Sequence, residues 1–129
     1  MTNLKTSAYL ALMYGFGLTA FETFVNWGQW WPFWLVDYVA AALLLIAGFA
    51  TLKTRSSAAK LLCLGWGFTL GMLWMSMAGN IADGTNPARA ARVANLYIAL
   101  IGFSLFISLI GLLLALRGTS NTKASRQSR

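Results

Sequence analysis

Acidic side chains are nearly missing from this chain. There are three in 129 residues, Glu22, Asp37 and Asp83. Histidine is absent and cysteine occurs once, at Cys63. Without histidine the chain lacks the commonest metal ligand, the commonest haem ligand and the side chain most used as a general base near neutral pH. A lone cysteine forms no intrachain disulfide and has no second thiolate for a metal site, so Cys63 reads as a small packing residue. Charged residues of both signs make up 10 % of the chain. An average soluble domain carries roughly 25 %, so the deficit excludes an ordinary water-facing surface. Alternation at period two is also lacking, which excludes a strand-built membrane barrel. No Ser–His–Asp set, HExxH, CxxC or phosphate-binding loop occurs, so neither an enzyme nor a bound cofactor is expected.

What remains is apolar, 58 % of the residues. The apolar residues fall into four stretches, and the pattern predicts helices near 8–26, 33–52, 58–80 and 93–116. Each is close to the ~20 residues needed to cross a hydrocarbon core of about 30 Å. The expected fold is therefore all-α, a polytopic membrane protein built as a bundle of four transmembrane helices in one domain, 1–117. The remaining residues, 118–129, are basic and poor in apolar side chains, the composition of a disordered cytoplasmic tail. No Asn-x-Ser/Thr glycosylation acceptor is present, and the expected setting is a bacterial inner membrane.

Basic residues are unevenly spread. Lys5, Lys53, Arg55, Lys60, Arg117, Lys123, Arg126 and Arg129 fall at the ends and in the second connection, whereas Arg89 and Arg92 fall in the third. The positive-inside rule then puts both termini in the cytoplasm. The same rule accounts for the net charge of +7 without nucleic acid, since no aromatic residues interleave with the basic ones.

Small and polar residues form stripes at helical spacing. The first helix has Ala8, Ala11, Gly15, Thr19, Glu22 and Asn26, the second Asp37, Ala41, Leu44, Gly48 and Thr51, and the fourth Ser104, Ser108, Gly111 and Ala115. Small residues let helices approach closely, so these faces are expected to point inward, as is Gly67-x-x-x-Gly71 of the third helix. A short repeat is also visible. Tyr14-Gly15-Phe16-Gly17-Leu18-Thr19 parallels Leu64-Gly65-Trp66-Gly67-Phe68-Thr69, a pattern compatible with two related hairpins.

Ionisable groups inside apolar stretches are costly, so they are candidate functional groups. Glu22 lies about 22 Å along the first helix from Ser7, and Asp37 about one and a half turns in from Pro32, which places both near one non-cytoplasmic level. Asn26, Asn80, Asp83, Arg89, Arg92, Asn95 and Tyr97 are expected at the same end. Three readings of this layer are open: acids paired with Arg89 or Arg92 in a structural network, a cation site, and an acid that carries a proton. Between the two acids lie Trp27, Trp30, Trp31 and Trp34, dense enough for an interfacial belt or for contact with another membrane subunit.

The leading expectation from sequence is a small non-catalytic integral membrane protein, an accessory or interaction subunit in the lipid bilayer, with a membrane-protein partner or further copies of itself. The alternative is a minimal transporter or channel binding a cation or proton at Glu22 and Asp37, assembled as a parallel oligomer. The orientation is testable directly. Green fluorescent protein fused after Arg129 is expected to fluoresce, and alkaline phosphatase inserted after Gly28 to be active. The reverse pair of results would invert the topology.

Overall fold

The computed structural model describes residues 2–25, 31–53, 57–82 and 91–127, with side chains described for 2–24, 35–53, 57–82 and 95–120. Each apolar stretch becomes one helix: α1 (Thr2–Val25), α2 (Trp31–Leu52), α3 (Ala58–Ala82) and α4 (Ala91–Gln127). Each helix packs on its neighbours in the chain, α4 closes onto α1, and the diagonal pair α1 and α3 barely meet. This is the arrangement expected when short connections join antiparallel helices.

Two boundaries differ from the sequence pattern. α1 starts at Thr2, because Thr2–Ser7 are polar yet compatible with a helix, and hydropathy alone does not register them. α4 continues to Gln127, through most of the segment predicted to be a disordered tail. Extending an existing helix costs far less than starting one, and the segment contains no proline. The two extensions meet. A Cβ on Gly118 would lie 2.9 Å from Leu4 Cβ, so α4 and α1 pack tightly there.

Three helices are long and apolar enough to cross a membrane, over Leu35–Leu52, Ala58–Ala82 and Asn95–Ser120. α1 is not among these spans, which corrects the expectation of four by that measure. Lys5, Glu22 and a series of hydroxyl residues dilute its apolar content.

The bundle is small inside and large outside. Its buried apolar residues include Ala8, Ala11, Ala40, Ala41, Ala47, Ala58 and Ala115. Large side chains such as Met13, Phe16, Phe24, Ile46, Trp74, Phe103 and Phe106 are exposed. In water such a surface would be a severe liability, whereas in lipid it is a match. The inward stripes of α1, α2 and α4 are as the sequence predicts. Close approach is reciprocal between α1 and α2. Gly15 receives Leu45, where an added Cβ would sit 2.9 Å from Cγ, and Gly48 receives Leu12, where it would sit 2.8 Å from Cγ.

Gly67-x-x-x-Gly71 does not follow the prediction. Both glycines open onto empty space, and the glycine of α3 that packs is Gly65, against Leu44. The buried face of α3 is Ala58, Leu62, Gly65, Trp66, Thr69 and Leu73, and Gly67 and Gly71 are rotated off it. The short repeat is matched locally but not in packing. Thr19 and Thr69 each donate to the carbonyl four residues back, Gly15 and Gly65, at 2.8 Å. Yet both glycines pack on α2, where two related hairpins would send Gly65 to α4. Phe16 is exposed while its counterpart Trp66 is fully buried.

Trp66 is the largest fully buried side chain among the described residues. Its indole N–H donates to Ser7 Oγ at 3.0 Å, and that hydroxyl donates onward to the Gly111 carbonyl at 2.7 Å. The ring lies against Gly111, where an added Cβ would overlap it, and Tyr14 packs on it at a centroid distance of 5.9 Å. Gly111→Ala is expected to destabilise the bundle by about 1–3 kcal/mol, because a trapped ring must move. Gly102→Ala, with open space around its Cβ, is the control and is expected to be neutral or mildly stabilising. Thermal unfolding in detergent compares the two, and equal midpoints would refute the packing argument.

Candidate functional site

Glu22 leaves α1 on the same inward stripe as Ala8, Ala11 and Gly15, and it is 6 % exposed. Asp37 leaves α2 one turn before Ala41, on the face that packs against α1, and is partly buried. The two carboxyls face each other across the α1–α2 seam, close enough for each to act on the other's charge. A carboxylate only accepts hydrogen bonds. Two carboxylates placed side by side therefore offer one another no hydrogen bond, and their charges repel.

Hydroxyl groups occupy the neighbouring positions of the same seam. Thr23 and Tyr38, the residues following the two acids in sequence, bring their side-chain oxygens to 2.6 Å from one another. Thr23 Oγ1 also lies 2.7 Å from the Thr19 carbonyl, to which it donates. In that arrangement Tyr38 supplies the proton of the Thr23–Tyr38 bond. On the bundle side, Tyr14 feels the charge of Asp37 and turns its hydroxyl toward Ser104 and Ser108 of α4. Ser108 Oγ is fully buried and completes no hydrogen bond among the described residues. The polar interior thus extends from the acid pair toward the middle of α4.

The other predicted members of the polar layer are dispersed or lie outside the description. Asn80 donates to the Ser76 carbonyl of its own helix at 2.8 Å. Tyr97 packs on Phe21 with centroids 6.5 Å apart, and Asn95 is exposed. Asn26, Trp27, Trp30, Asp83 and Arg89 lie outside the described residues, as do the side chains of Trp31, Trp34 and Arg92. Among the described residues no group of three metal-ligating side chains forms.

Sequence patterning singles out the two acids but not Tyr14, Thr23 or Tyr38. The available signal was position. Thr23 and Tyr38 flank the acids, and Tyr14 lies two turns below Glu22, near its inward stripe. Comparison with protein-family models, with curated proteins and with solved structures finds no match.

The Thr23–Tyr38 bond can be measured with Thr23→Val, Tyr38→Phe and the double variant. Interhelical hydrogen bonds in membranes average about 0.6 kcal/mol, with a maximum near 1.7. A coupling energy of that size is expected from thermal unfolding. Strict additivity would mean that the two hydroxyls contribute independently.

Proposed function

We propose that this is a small integral membrane protein that takes up a proton or cation at the Glu22–Asp37 pair, as a minimal transporter or channel does. The observation that carries the reading is the juxtaposition of two carboxyls contributed by different helices inside an apolar bundle. A purely structural contact would be cheaper with uncharged partners, because burying ionisable groups costs several kcal/mol each before compensation. Two neighbouring carboxyls suit the proton form of the reading better than metal binding, since a metal would need both deprotonated and no third metal-ligating side chain joins them among the described residues.

The reading includes four crossings, with both termini in the cytoplasm of a bacterium. Support for the first crossing comes from α1 itself. Its 24 residues extend about 36 Å at the helical rise. Its polar side chains turn inward at Ser7 and Glu22, while Met13, Phe16 and Phe24 turn outward. A parallel oligomer remains the expected assembly, because the basic residues favour a single orientation. The accessory-subunit reading draws on exposed aromatic side chains such as Trp74, and these suit lipid as well as a protein partner. The acid pair is what separates the two readings.

The test uses the full chain in liposomes with an internal pH dye. Glu22→Gln together with Asp37→Asn is expected to reduce proton flux at least tenfold, while the thermal midpoint holds or rises. Infrared difference spectra are expected to lose a protonated-carboxyl C=O band in the same variant. Flux unchanged by both substitutions would sink the reading, and collapse of the fold on either single substitution would mark the pair as structural.

A further inference from the structure

A groove of about 420 Å³ runs along the seam between α1 and α4, on the outer side of Tyr14. On α1 it extends from Leu10 to Phe21, eleven residue steps or about 16 Å at the helical rise. That is close to one leaflet, half of a hydrocarbon core about 30 Å thick. Gly17 helps to make it. This glycine lines the groove, and a Cβ there would meet nothing within 4 Å. Phe21 and Tyr97, packed on each other, line one end.

The wall is almost entirely apolar, and no charged side chain is among the described residues that line it. Two hydroxyl residues break the apolar run, Tyr14 and Ser104, toward the end marked by Leu10 and Ile107. Behind them lies Ser108, buried beside the Tyr14 hydroxyl and completing no hydrogen bond among the described residues. Tyr14 sits at the middle of α1. If α1 crosses the bilayer, these hydroxyls lie at a depth where a phospholipid offers only hydrocarbon. An acyl chain would fill the groove and leave the spare donor and acceptor capacity of these hydroxyls unmatched, which is unfavourable in an apolar medium. A charged head would meet no counter-charge there.

We propose that the α1–α4 groove binds a neutral single-tailed lipid, whose uncharged hydroxyl or carbonyl head bonds to Tyr14 and Ser104 at mid-depth while its tail lies along Gly17 toward Phe21. The proposal rests on the transmembrane reading of α1 and is independent of proton uptake at Glu22 and Asp37.

The experiment compares two photoreactive probes of equal length in phosphatidylcholine liposomes holding the full chain: hexadecanol and hexadecane, each with a mid-chain diazirine. The alcohol is expected to label the α1 and α4 segments flanking the groove several-fold more than the alkane. That preference should vanish in the Tyr14→Phe, Ser104→Ala double variant. Gly17→Leu, which fills the groove, should remove labelling by both probes at this seam and leave it intact on the outer faces of α2 and α3. Gly17→Leu also keeps the test valid should the double variant fail to fold. Equal labelling by alcohol and alkane, or a preference that survives loss of the hydroxyls, would reduce the groove to an ordinary contact with bilayer chains and overturn the proposal. Alkaline extraction of the same vesicles reports insertion separately, so failure of the membrane reading is distinguishable from an empty groove.

Discussion

The bundle is organised around one buried contact, the Trp66 ring seated on Gly111 and tied through its N–H to Ser7. It joins α1, α3 and α4 at a single point. Each part is conditional on the others. The ring fits only because position 111 has no side chain. The indole N–H is tolerable in an apolar interior only because Ser7 accepts it, and Ser7 keeps its own donor satisfied through the Gly111 carbonyl. In lipid, helices gain little from burying apolar surface against one another, so packing and hydrogen bonds must supply the association. This contact supplies both. It also seats Tyr14, whose ring packs on Trp66 and whose hydroxyl faces α4.

The acid pair depends on a second close approach. Gly15 and Gly48 let α1 and α2 interlock through Leu45 and Leu12. With the seam held that close, side chains as short as aspartate and glutamate can meet across it. Tyr14 then stands between the two features, resting on the Trp66 contact on one side and sensing Asp37 on the other. The polar interior is therefore a connected strip of α1 and its partners, set inside an otherwise apolar protein.

Much of this was legible before folding is considered. Ala8, Ala11, Gly15 and Glu22 recur at helical spacing and do point inward, as do Ala41, Leu44, Gly48 and Thr51 of α2. Hydropathy located the helices because an apolar run of that length has one economical backbone solution in lipid. It misjudged their ends, since Thr2–Ser7 and the segment after Arg117 are helical without being apolar. Gly67-x-x-x-Gly71 misled for a related reason. Spacing identifies residues that share a face, but which face is buried depends on where the neighbouring helices stand.

Composition and periodicity alone determined the all-helical class, the helix count, the inward stripes of α1, α2 and α4, and the two acids as the groups most in need of explanation. These are properties of single segments, set by the local choice between lipid and protein surroundings. Only the tertiary structure decided that Glu22 and Asp37 face each other, that Trp66 rather than Trp74 is the core tryptophan, and that the α1–α4 seam stays partly open at Gly17. Those outcomes depend on the rotation and separation of helices relative to one another. Such quantities are fixed by the fit of side chains across each interface, which no single segment encodes.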